Sequence, residues 1–133
     1  MSSVNICEFV RIFVPVGLTN AEFDTLKAWI ADLPEVTSGP HRFGGIEFNV
    51  HGLEFMHFHG QTHLDIRLSM SDQARVLLEG KTEKHAHAPQ AGWVTFRIKS
   101  NEDVGKAKEI VRLAHNYALT VMERHQTKRT IAK

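Results

Sequence analysis

Between Ile46 and Leu68, apolar residues take alternate positions in three short runs, broken at His51-Gly52 and at Gly60-Gln61. A period of two marks strands that bury one face. His51-Gly52 suits a two-residue hairpin loop with Gly at a φ > 0 position, so Val50 should face Leu53, Phe48 should face Phe55 and Ile46 should face His57. With Gly60-Gln61 as a type II′ turn, His59 faces Thr62, His57 faces Leu64, Phe55 faces Ile66 and Leu53 faces Leu68. One face of this three-strand meander then collects Ile46, Phe48, Val50, Leu53, Phe55, His57, Leu64, Ile66 and Leu68. The other collects Glu47, Asn49, Glu54, Met56, Phe58, His63, Asp65 and Arg67, with Glu54 opposite Arg67 as a cross-strand ion pair. This register puts His57 and His59 on the core side and His63 and Asp65 on the outer side.

Helical spacing appears elsewhere. Thr19 and Glu22 form a capping box, followed by Phe23, Leu26, Ile30 and Leu33 on one stripe, and Pro34 ends the helix. Ser38-Gly39-Pro40 is a turn leading into the first strand. Ser69 and Asp72 cap a short helix that runs to Glu79 and stops at Gly80. Lys81 to Gly92 is a polar loop with His85, His87 and Pro89. Trp93 to Ile98 alternates again, with Val94, Phe96 and Ile98 inward and Trp93, Thr95 and Arg97 outward. Ser100 and Asp103 cap the last and longest helix, whose stripe is Val104, Ala107, Val111, Ala114, Ala118 and Val121. Residues 1–18 form an N-terminal arm or edge strand, and the basic stretch 124–133 is expected to fray. The predicted architecture is α+β, a two-layer sandwich with an antiparallel sheet of about four strands (the meander plus one) packed on about three helices.

Composition narrows the function classes. The 133 residues make one domain on the usual size scale, with 42% apolar and 23% charged residues. A net charge of +1 argues against a chain built as a nucleic-acid or membrane footprint. One cysteine, Cys7, excludes an internal disulfide, and no signal-like or membrane-spanning run is present, so a cytoplasmic protein is expected. Cys7 has no basic or helix-terminal setting that would activate it. Nine histidines are the outlier.

His57, His59, His63 and Asp65 invite a metal reading, since imidazoles at i and i+2 on a strand share a face. The expected register divides them between two faces, and one ion could reach both pairs only if the second turn slipped by one residue. Gln61 and Thr62 stand where an HxHxDH pattern requires Asp and His, and a cupin-type HxH would need a downstream Glu in an all-β fold. No metal or other cofactor is therefore assigned from the sequence. Met56, Phe58 and Trp93 form an apolar patch on the predicted outer face, a candidate ligand groove or homodimer surface. Arg42, Gly44 and Gly45 form a candidate anion site of exposed amides beside a guanidinium.

The segments GPHRFGGIEF and EFMHFHG, Asp65 within LDIRLS, and His87-Ala-Pro-Gln-Ala-Gly-Trp93 before a strand and Asp103-Val104 resemble the small bacterial luciferase-domain family, over about Leu26 to Tyr117. Gln90-Ala91 stands where the pattern has a Ser before Gly-Trp. The family name implies light-emitting chemistry, but no luciferin pocket is legible in these residues. More loosely, the element order and the Gly-Trp strand feeding a terminal helix are similar to YjbR-like double-wing proteins. That implies a nucleic-acid role using Arg67, Arg97 and the basic tail, which the near-neutral charge disfavours. The expected function is a binding module for a small ligand or protein partner, with His57, His59, His63, Asp65, Arg67, His87 and Trp93 lining the site. An enzyme using these histidines for general acid–base or metal chemistry is the alternative.

Overall fold

The computed structural model describes residues 17–42, 44–85 and 88–132. Residues 1–16 of the expected arm, Cys7 among them, lie outside these, as does His87. The fold is α+β, with three helices and an antiparallel sheet of six strands among the described residues. In chain order the elements are α1 (Asn20–Ala31), β1 (Val36–Pro40), β2 (Ile46–Val50), β3 (Leu53–His59), β4 (His63–Arg67), α2 (Met70–Leu78), β5 (Glu83–Lys84), β6 (Trp93–Arg97) and α3 (Val104–Ala132). The sheet order is β1-β2-β3-β4-β6-β5.

The helix starts follow from local chemistry. Thr19 accepts from the Glu22 amide and Glu22 reaches back to the Thr19 amide, Ser69 caps α2 through the Asp72 amide, and Ser100 and Asp103 form a reciprocal box in the short 3₁₀ turn before α3. The last helix runs from Val104 through Arg124 to Ala132. No helix among the described residues is long and apolar enough to cross a membrane.

The sheet exceeds the expected four strands at both edges. Val36–Pro40, expected to end in a turn, pairs along β2 from Val36↔Val50 to Pro40↔Ile46, and Glu83–Lys84 in the polar loop pairs with β6. Two departures change the meander. The first hairpin turns where expected, with His51 and Gly52 both at positive φ and Val50 facing Leu53. A β-bulge then enters β3: Asn49 faces Glu54, but Phe48 faces Met56, which leaves Phe55 without a partner on β2. Phe55 uses the extra room to bury its ring against His115 of α3 at 5.7 Å. The second turn is the other departure. Its loop has three residues, Gly60, Gln61 and Thr62, so His59 faces His63, Phe58 faces Leu64 and His57 faces Asp65. Contacts distant in sequence hold the longer loop: the Gln61 amide donates to Asn20 and the Thr62 carbonyl accepts from the Ile98 amide.

Met56 and Phe58 consequently lie in the core, both fully buried, with Phe58 edge-on to Phe23 of α1. The expected dimer patch loses two of its three members. The core gathers Phe48, Val50, Leu64, Ile66, Val94 and Phe96 from the sheet with Leu26 and Ile30 of α1 and Ile110, Val111, Ala114 and Ala118 of α3. The predicted Glu54–Arg67 pair does not form either, since Glu54 faces Asn49 and Arg67 faces Trp93. The opposite face of β3, β4 and β6 carries the polar residues.

Candidate functional site

The bulge and the longer loop bring the histidines together. Glu54 and His57 would point to opposite faces of a regular strand, and the extra residue between them puts both on the polar face. His57 Nδ1–H donates to Glu54 Oε2 at 2.7 Å. Across the strand pair, His57 Nε2 lies 3.0 Å from Asp65 Oδ2 and 3.0 Å from His59 Nε2. His59 Nε2 lies 3.2 Å from the same Asp65 oxygen. The other carboxylate oxygen of Asp65 is held from behind: Thr95 Oγ1–H donates to Oδ1 at 2.7 Å, and His63 Nε2–H does so at 3.0 Å. Asp65 is therefore fixed through one oxygen and offers the second to His57 and His59. All four residues of the His57, His59, His63, Asp65 set share one site, which overturns the two-face expectation.

Flanking segments complete a cavity of about 640 Å³ over this floor. His41 and Arg42 arrive from the β1–β2 loop. His41 stacks on His57 with centroids 4.0 Å apart and rings inclined by 21°, and its Nε2 is 3.4 Å from Glu54 Oε2. That loop runs against β3 so closely that a Cβ on Gly45, which has φ +83°, would overlap the Phe58 carbonyl. His85, Ala88 and Trp93 arrive from the β5–β6 connection. His85 Nδ1 accepts from the Ala88 amide at 3.0 Å, so its proton sits on Nε2, 3.4 Å from Asp65 Oδ2. The Trp93 ring is 5.4 Å from that of His57. Gln73 of α2 fixes this wall by donating to the carbonyls of Pro89 and Trp93 at 2.6 and 3.1 Å.

The floor is electrostatically polarised. Burial by itself would lower the His57 pKa, but hydrogen bonds to Asp65 and Glu54 and their negative charges outweigh it and raise it to about 9. Burial would raise Asp65, yet hydrogen bonds from His57, Thr95 and His63 hold it well below the ordinary carboxylate range. His59 is pushed down, first by burial and then by the positive charge of His57. Neutral His59 can then accept the Nε2 proton that His57 also directs at Asp65.

Of the expected site residues, His57, His59, Asp65 and Trp93 line the cavity, and His63 braces Asp65 from behind. Arg67 does not line it: its Nε donates to the Ala91 carbonyl at 3.1 Å and its guanidinium lies 6.0 Å from the Tyr117 ring. Arg42 of the expected anion site is a wall residue, while the Gly44 amide is turned into its own loop, donating to the His41 carbonyl. Sequence reasoning missed His41, Glu54 and Thr95, and offered His85 as a residue that could close a site from the loop without placing it. Only Glu54 carried a signal, its i,i+3 spacing to His57, and that requires knowledge of the bulge.

Residues 52–114 match the family model described as Luciferase domain, a span that includes β3, β4, α2, β5 and β6 and most of the cavity floor. No curated protein and no solved structure gives a significant match to the chain.

Proposed function

We propose that this chain, carrying the luciferase-domain segment 52–114, binds a small molecule in the cavity above His57 and Asp65. The observation that carries the reading is the convergence of an apolar wall and a dense polar floor on one open space. Binding sites are typically concave, largely pre-formed and supplied with a few fixed polar groups. Trp93 and Ala88 would take the flat or apolar part of such a ligand, and His57, His59 and Asp65 would orient its polar end. Arg42 at the rim adds a partner for a carboxylate. Nothing in these residues specifies a luciferin, so the reading is one of binding rather than light emission. The strongly displaced pKa values of His57 and Asp65 favour, as a second reading, an enzyme in which His57 gives up a proton to the bound molecule.

The chain has two tryptophans, Trp29 and Trp93, so a Trp29→Phe variant reports on the cavity alone. Benzoate and catechol are expected to change its emission saturably, and Ala88→Phe, which narrows the space without adding an indole, should strongly weaken the response. Emission unmoved by either probe up to millimolar concentration would remove the basis for the reading.

A further inference from the structure

The geometry points to a mononuclear site for a first-row divalent transition-metal ion, with His57 Nε2, His59 Nε2 and Asp65 Oδ2 forming one face of its coordination sphere and the remaining positions open to the cavity. The inference rests on the pocket reading above and deepens it, since an ion there would be the anchoring point for the ligand's polar end. The three donor atoms form a nearly equilateral triangle with edges of 3.0, 3.0 and 3.2 Å. An ion about 2.0–2.1 Å from each would subtend angles of roughly 95–100°, between those of six- and four-coordinate ions. Two imidazoles and one carboxylate on a single face, with open positions opposite, suit iron, cobalt, nickel or zinc better than magnesium or calcium, which prefer all-oxygen shells.

The surroundings are arranged as outer-shell support. A metal-ligating histidine characteristically donates its second ring N–H to a carboxylate, and this is the bond from His57 Nδ1 to Glu54. It leaves Nε2 as the ligating atom, and the stacked His41 ring holds the imidazole plane. Asp65 is likewise anchored through Oδ1 by Thr95 and His63, which leaves Oδ2 aimed at the triangle. His41, Glu54 and His57 form a second trio of potential ligands. Its 2.7 Å nitrogen–oxygen contact is that of a shared proton and is shorter than the edge between two ligands of one ion.

The test uses tag-free, full-length protein stripped by chelator and titrated with Zn²⁺ and Co²⁺ at neutral pH. One ion per chain is expected, with visible d–d absorption for Co²⁺ and a rise in melting temperature on the order of 10 °C when the free ion stands about 100-fold above Kd. His59→Ala removes a partly exposed ligand whose loss the fold tolerates, with 37% of the side chain accessible. It should weaken binding by more than about 100-fold, whereas Thr95→Val, which loosens only the support of Asp65, should weaken it about 10- to 100-fold. His125→Ala, on the exposed face of α3, should leave binding unchanged. Failure to retain Zn²⁺, Co²⁺, Ni²⁺ or anaerobically supplied Fe²⁺ would overturn the site, as would undiminished binding in His59→Ala. If benzoate or catechol still changes Trp93 emission in the metal-free protein, the pocket stands and only the metal falls. If the protein holds an ion but Trp93 never responds, the pocket reading falls and the metal site stands.

Discussion

Replacement of Gly92 by alanine is expected to lower the stability of the domain by about 4 kcal/mol. Gly92 sits at φ +93°, a conformation that costs an L side chain on the order of 1–3 kcal/mol. A Cβ there would also overlap the Leu68 carbonyl oxygen, part of the backbone at the end of β4. The glycine cannot retreat, because its own carbonyl accepts from the Leu68 amide at 2.9 Å and its amide closes the 3₁₀ turn onto Pro89. Relief would require Trp93 and the strand after it to shift away from β4. Urea denaturation should show a lower midpoint with an unchanged slope, and a loss below about 1 kcal/mol would contradict the close passage of these backbones.

Asp65→Ala should be comparably damaging, by about 3–5 kcal/mol near pH 6, since it removes one partner of a buried charge pair. It leaves buried His57 with Glu54 as its one carboxylate partner among the described residues and strands the Thr95 hydroxyl. The effect has a defined pH dependence. His57 has a folded pKa near 9 against 6.5 for the free side chain, so its contribution is complete below 6.5 and disappears as pH rises through 9. Asp65 is depressed from 3.8, so its contribution is complete above that value and is lost in stronger acid. The metal-free protein should therefore be most stable near pH 6.5, because the lowered pKa of His59 withdraws stability as pH falls below that value, and should lose on the order of 3 kcal/mol by pH 9 to 10. Asp65→Ala should flatten the alkaline limb. An equally steep limb in the variant would show that Asp65 does not hold the His57 proton.

The helices were legible because their starts are written locally: Thr19 with Glu22, Ser69 with Asp72, and Ser100 with Asp103 each satisfy nearby amides. The first hairpin was legible for the same reason, because His51-Gly52 supplies two adjacent positive φ values. The bulge at Phe55 was not, since its cause is the place that His115 of α3 makes for an aromatic ring, 60 residues away in sequence. The third residue of the second loop was hidden too, because Asn20 and Ile98 hold Gln61 and Thr62. These two departures cancel beyond the loop. The bulge flips the parity of β3 after Phe55 and the added loop residue flips it back, so Leu64, Ile66 and Leu68 are buried as expected. Only His57 and His59 changed places with Met56 and Phe58. That exchange turned two separated histidine pairs into one site, and it was invisible in an alternation that looked self-consistent.

The single unpaired residue in β3 also bears on how such a strand could arise in evolution. Deleting Phe55 would leave regular alternation onward from Glu54, with Met56 and Phe58 still inward and His57 and His59 still on the polar face, so only the ring packed against His115 would be lost. A lineage could therefore have gained the Phe55 ring through one in-frame insertion in the strand, with every histidine and carboxylate of the cluster keeping its face.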